Sequence, residues 1–252
     1  MNINNKIINI IRAIALLSIV FSYGVFAATT TLLTVRGTKI GDGFARSVAG
    51  AGDVNQDGFD DFIVGINNDG NCTIGTTGAA EVYSGKDGSR IYRWCGDNGD
   101  GFGWAVSGGG DINGDGTPDI IVGSISDDNP NLSPGNNSGS VKVFSGLGGG
   151  LLYTFYGDSF ASQFGHSIDA AGDVNGDGFA DVVAGAFFDD SGGFDAGLVR
   201  VFSGFDGSVL YNFAGDTTND HLGMSVAGAG DVNRDGFDDI IAGAEGINGM
   251  AR

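Results

Sequence analysis

Short apolar runs separated by Gly, Asp and Asn recur along nearly the whole chain, and this pattern predicts β-strands joined by tight turns. Four such runs stand in sequence at Phe164–Ala171, Asp181–Ala186, Gly197–Ser203 and Val209–Ala214. They form one unit of a repeat. A block reading roughly F-G-x-S-V-x-G-x-G-D-x-N-x-D-G-x-x-D, followed by an apolar run, occurs four times, and its first loop Asp residues, Asp53, Asp111, Asp173 and Asp231, lie 58, 62 and 58 positions apart. That spacing is close to the ~40–50 residue period of propeller blades, in which four short antiparallel strands make one blade. The predicted fold is therefore all-β: a β-propeller of about three and a half to four blades, with repeats near 43–97, 102–158, 163–216 and 221–252.

The two ends of the pattern do not match into a finished ring. Residues 32–37 follow the same pattern as 151–157, so the segment 30–37 reads as a fourth-strand element, expected as the outer strand of a closing blade. At the other end Gly249-Met250-Ala251-Arg252 lines up with Gly197-Leu198-Val199-Arg200, so the last repeat stops early in its third strand. The expected ring is incomplete or truncated, or else an open array that completes itself by forming a homo-oligomer.

Composition narrows the class further. With 48 Gly, 18 Phe, 6 Tyr and 2 Trp in 252 residues, the chain can bury apolar surface and is not a disordered sequence. Only Glu81 and Glu245 among the 31 acidic residues are Glu, so helices should be scarce, because Asp favours turns and metal loops. A net charge of −19 argues against nucleic acid as a partner and makes divalent cations the natural counter-charge.

Residues 1–27 read as a secretory signal peptide: Lys6 and Arg12 are followed by an apolar stretch from Ile14 to Val20 and by Val25-Phe26-Ala27. The alternative is an uncleaved anchor; no later segment is long and apolar enough to span a bilayer. The expected product, 28–252, is secreted, extracellular or at the cell surface, a periplasmic location included. Export makes Cys72 and Cys95 candidates for a disulfide, two free thiols being the other reading.

The chemistry sits in D-x-N-x-D-G-x-x-D. Its four copies are Asp53, Asn55, Asp57, Asp61; Asp111, Asn113, Asp115, Asp119; Asp173, Asn175, Asp177, Asp181; and Asp231, Asn233, Asp235, Asp239. Side chains at positions 1, 3, 5 and 9, with the position-7 carbonyls of Phe59, Thr117, Phe179 and Phe237, offer the hard oxygens that Ca²⁺ prefers. Up to four Ca²⁺ are expected, one per loop. An EF-hand is rejected because its bidentate Glu at position 12 is replaced by Val64, Val122, Ala184 and Ala242, and because the flanks are strand-like. The position-9 Asp is expected to make up for that Glu as a direct ligand. The competing reading is a set of metal-free Asx turns, against which stands the mutual repulsion of three carboxylates in a nine-residue loop.

Phe164-Gly165-x-Ser167, Gly172-Asp173, the Asp/Asn/Asp loop and Val183-Ala184-Gly185-Ala186 together resemble the FG-GAP repeat of integrin alpha subunits. The resemblance covers residues 32–252. It implies a β-propeller whose loops between first and second strands hold Ca²⁺ on one face, with a partner bound on the other. Phe44-Ala45 and Leu222-Gly223 depart from the Phe-Gly pair, and no Pro closes the second motif. The resemblance implies an adhesion or binding module for a protein or glycan ligand rather than an enzyme. The chain has no H-E-x-x-H, G-x-S-x-G, P-loop or C-x-x-C. Two alternatives remain, the propeller part of a secreted hydrolase and a non-functional fragment of a longer repeat protein. His166 and His221 read as ordinary residues at variable positions, and Trp94 and Trp104 as blade packing rather than a sugar platform. The most variable loops, 126–138 and 187–196, are expected to carry recognition.

Overall fold

A computed structural model describes residues 16–21, 30–72, 78–97 and 99–246. Three complete four-stranded antiparallel sheets follow one another along the chain, each with its strands in sequence order. The first contains β3 (Phe44–Gly52), β4 (Asp61–Ile66), β5 (Ala79–Tyr83) and β6 (Arg90–Cys95). The second contains β7 (Phe102–Gly108), β8 (Ile120–Ser124), β9 (Ser140–Phe144) and β10 (Leu151–Tyr156). The third contains β11 (Ser167–Gly172), β12 (Asp181–Ala186), β13 (Leu198–Phe202) and β14 (Val209–Ala214). β15 (Leu222–Gly230) and β16 (Asp239–Ala244) begin a fourth. First strands pack against first strands, so the sheets stack as successive blades of an incomplete propeller.

The middle strands explain the apolar runs. A blade is covered on both faces by its neighbours, so β4, β8 and β12 are buried at every position and need no polar alternation. β16 has the same kind of sequence, Asp-Ile-Ile-Ala-Gly-Ala, but among the described residues no further blade covers it and Ile241 is 50% exposed. The two motifs that recur in each repeat meet across each boundary. A Cβ on Gly65, Gly123 or Gly185 would overlap the carbonyl oxygen of Gly103, Gly165 or Gly223 of the next blade, so the backbones touch there and glycine is required. Ala45 occupies the same left-handed position as those later glycines, at φ 61°.

Fourth strands anchor the next blade. Tyr92 Oη donates to Gly146 O at 2.8 Å, Trp94 Nε1 to Gly149 O at 2.9 Å and Tyr153 Oη to Gly204 O at 2.9 Å. Trp94 stacks on Phe144 with ring centroids 4.6 Å apart, and Phe155 on Phe202 at 3.9 Å. Tyr211 and Phe213 stand at the corresponding places of β14 and are exposed, lining a groove of about 450 Å³ with Phe237 and Ile240.

Most of the segment 1–27 lies outside the described residues; within it Leu16–Phe21 forms a strand, β1, antiparallel to β2 (Thr30–Arg36). β2, expected as the outer strand of a closing blade, pairs in the structure with β1, while Leu33 and Val35 pack on Phe44 and Phe62 of the first blade. Residues 247–252, where the third strand of the last repeat is expected to begin, are outside the described residues. Cys72 and Cys95 form a disulfide with Cα atoms 5.8 Å apart, as export suggested. No helix among the described residues is long and apolar enough to cross a membrane.

Candidate metal loops

Each D-x-N-x-D-G-x-x-D segment joins the first strand of a blade to the second, so the four loops line up at one end of the blades. The turns between third and fourth strands lie at that same end. The connections between second and third strands lie at the other.

All four loops fold in one way. The position-1 carboxylate accepts the N–H groups of positions 5 and 6: Asp57 and Gly58 onto Asp53 at 2.9 and 2.8 Å, and Asp115 and Gly116 onto Asp111, both at 2.9 Å. Asp173 and Asp231 do the same for Asp177 and Gly178, and for Asp235 and Gly236. The Asn at position 3 accepts from position 5, and the Asp at position 5 accepts from position 7, as in Phe59 N–H to Asp57 at 3.1 Å. Two residues must take left-handed backbone for this path. Position 6 is Gly throughout, as the motif demands, but position 4 is also left-handed, in Gln56 (φ 57°), Gly114 (73°), Gly176 (78°) and Arg234 (65°).

Position 9 has a task that the motif alone does not reveal. Asp61, Asp119 and Asp181 are buried, with one oxygen on the loop and the other on the turn between third and fourth strands. Asp119 Oδ2 accepts from Ile112 N–H at 2.8 Å and Oδ1 from Gly146 N–H at 3.0 Å. Asp61 joins Val54 to Gly85, and Asp181 joins Val174 to Gly204, with the same geometry. Burial raises the carboxyl of Asp61 and pushes those of Asp119 and Asp181 up to about 6, against the pull of the N–H donors. Asp239 keeps the bond from Val232 N–H at 3.0 Å.

Among the described residues no group of three or more His, Cys, Asp or Glu side chains is gathered as a metal site. The loop oxygens instead engage the loop's own amides. The donor set is nevertheless oxygen throughout, and an oxygen that accepts a single N–H, as Asp53 Oδ2 does from Gly58, keeps a further lone pair, which suits a hard divalent cation.

At the opposite end the loop over 126–138 is fixed from within: Asn129 N–H donates to Asn136 Oδ1 at 3.0 Å, and Asn129 Nδ2 to Gly157 O at 2.9 Å. In the next blade Phe160 and Phe194 are largely exposed and border a cleft of about 270 Å³ with Asp190 and Asp195. His166 lies tilted against Trp104 and edge-on to Phe187, and burial lowers its pKa; Trp104 carries the Arg46 guanidinium over its ring at 4.0 Å.

With these loops and blade contacts in view, a family model described as FG-GAP repeat matches residues 102–144 and 164–202. The chain is an FG-GAP repeat protein. Integrin alpha-V of Gallus gallus is 29% identical over 82% of this chain and 20% of its own length. Integrin alpha-5 of Xenopus laevis is 30% identical over 81% and 20%, and integrin alpha pat-2 of Caenorhabditis briggsae 32% identical over 77% and 17%. The FG-GAP chain thus spans about a fifth of the length of these integrin alpha relatives. Among solved structures, a rhamnogalacturonan lyase of Bacillus licheniformis aligns with TM-score 0.45 and 19% identity, over 77% of this chain and 40% of the lyase. An exotype rhamnogalacturonan lyase aligns with TM-score 0.46 and 17% identity, over 77% and 39%.

Proposed function

We propose that this FG-GAP chain is a Ca²⁺-binding recognition module that acts outside the cytoplasm, as an integrin-alpha-like adhesion domain does, and is not a catalyst. The observation that carries the metal reading is the fourfold recurrence of one loop geometry with one oxygen-only donor set. Asp53, Asn55, Asp57 and Asp61, with the Phe59 carbonyl, would hold the ion in the first loop. The corresponding residues serve in the other three. The ion would supply positive charge to a loop whose sequence carries three carboxylates, and so stiffen the loop that positions the third-to-fourth-strand turn. Cys72–Cys95 supports an oxidising location.

The ligand side is the other end of the blades. There the loops 126–138 and 187–196 vary in a scaffold that is otherwise repeated, and Phe160 and Phe194 present exposed rings beside Asp190 and Asp195. A protein or glycan partner is read there. The exposed rings of β14 suit packing against a second copy of this chain.

Thermal melting of the full chain across a Ca²⁺ titration, with chelator and Mg²⁺ controls, tests the metal. Extracellular Ca²⁺ modules bind at ~10⁻⁴–10⁻³ M, so a rise in Tm through the millimolar range is expected. A cooperative melt indifferent to Ca²⁺ would leave the loops as plain Asx turns. Binding to matrix and glycan surfaces, lost when 126–138 is replaced by a short Gly-Ser linker, tests the recognition face.

A further inference from the structure

The four loops stand one per blade, and each of the last three touches the loop before it. Position 7 of one loop meets position 4 of its predecessor. Gln56 Nε2 donates to Thr117 Oγ1 at 3.0 Å, the Phe179 ring lies against Gly114, and the Phe237 ring lies against Gly176. A Cβ on either glycine would stand under 3 Å from the ring, so a side chain there would have to displace the ring from its seat. Position 8 makes a second contact. The Ala180 N–H donates to the Asp111 carbonyl at 3.2 Å, and the Asp238 N–H to the Asp173 carbonyl at 3.1 Å. Asp238 Oδ2 also accepts the Asp173 N–H at 2.8 Å. Between the first and second loops the same place is taken by Pro118, which has no N–H and packs its ring on Gly52.

These contacts join groups that matter to both loops. The clasping residue at position 7 carries the carbonyl read as a ligand in its own loop. What it and position 8 hold in the preceding loop is the backbone at positions 1 and 4, and position 4 is the left-handed residue on which that loop's path depends. We infer that the clasp couples the loops in a row, so that a divalent cation bound in one loop favours binding in the loop before it. The inference rests on the metal reading above. A bound cation holds positions 7 and 8 still; the preceding loop, already held at two points, then loses less conformational freedom when it takes its own ion. Linkage makes the effect reciprocal. Coupling is stronger from the third loop to the second and from the fourth to the third, where ring and N–H act together. It is weaker from the second to the first, where Pro118 removes the N–H.

Amide hydrogen exchange of the full chain, followed over 111–117, 173–179 and 231–237 across a Ca²⁺ titration, resolves the loops individually. Phe179→Ala removes the ring and keeps the position-7 carbonyl, while Ala180→Pro removes the N–H and copies Pro118. Each variant is expected to raise the Ca²⁺ midpoint for protection of the second loop by at least about threefold, and Phe237→Ala to do the same for the third. If Phe179→Ala fails to give a cooperative melt, Ala180→Pro decides. Ca²⁺-dependent protection with an unmoved second-loop midpoint in Ala180→Pro and any folded Phe179→Ala overturns the coupling and leaves the metal reading standing. No Ca²⁺-dependent protection in the unmodified chain overturns the metal reading and the coupling with it.

Discussion

At the scale of the residue, the two most informative groups break a local rule. Ala45 sits at φ 61° where the later blades place glycine, and a left-handed Ala costs roughly 1–2 kcal/mol. Ala45→Gly relieves that strain at a smaller entropic cost, so the variant should be more stable by about 0.5–1 kcal/mol in urea unfolding. Asp119 and Asp181 are carboxylates held under the loops, with burial pushing them up to about 6. Their folded values lie above that of an unfolded Asp, so the stability they contribute is complete below about pH 4 and is lost as pH rises through 6. In chelator, Tm should therefore fall by several degrees between pH 5 and pH 7, a trend that the repulsion within a chain of net charge −19 reinforces. In saturating Ca²⁺ the trend should reverse, because the ion needs the ionised carboxylates. Melting curves at the two pH values, with and without Ca²⁺, check both signs.

At the scale of the element, the turn and loop chemistry decides what each connection can do. In the first blade the described part of the second-to-third-strand connection is held by charge pairs and a disulfide. Arg93 of β6 pairs with both Asp69 and Glu81, Arg90 pairs with Glu81 at 2.8 Å, and the disulfide closes 23 residues. The corresponding loop of the second blade relies on Asn129, Asn136 and Ser138 instead. Chain-entropy reasoning gives a loop of that length about 3 kcal/mol of stabilisation from its disulfide. The Cys72→Ala, Cys95→Ala double variant should lose about that much in denaturant unfolding, with the change confined to the first blade in hydrogen exchange.

At the scale of the whole molecule, stability passes from blade to blade through repeated contacts: backbone on backbone at the paired glycines, and aromatic fourth strands on the next turn. Where the row stops, the same parts become exposed. Tyr211 and Phe213 are each nearly half exposed, and among the described residues β16 pairs on one edge only, with β15. Such a face promotes self-association. Tyr211→Ser with Phe213→Ser should lower the sedimentation-weighted mass at high concentration while shifting Tm by no more than a degree or two, since both rings are nearly half exposed.

The sequence by itself determined the repeat, the four strands per blade, the register of every loop and the position-6 glycines, because each is a local pattern that recurs in the same chain. β12 and β14 run over the residues that the apolar pattern marked, while β11 begins three residues later, at Ser167. The loop residues were legible as a motif; the second task of position 9 was not, because Gly85, Gly146 and Gly204 are distant in sequence and only the fold brings their N–H groups to Asp61, Asp119 and Asp181. The left-handed position 4 was hidden too, since Gln56 and Arg234 carry no sign of it. Only the tertiary structure decided which glycines touch, which loops clasp and where the apolar runs remain uncovered, because those depend on what packs beside each blade, and that is a property of neighbours rather than of any one repeat.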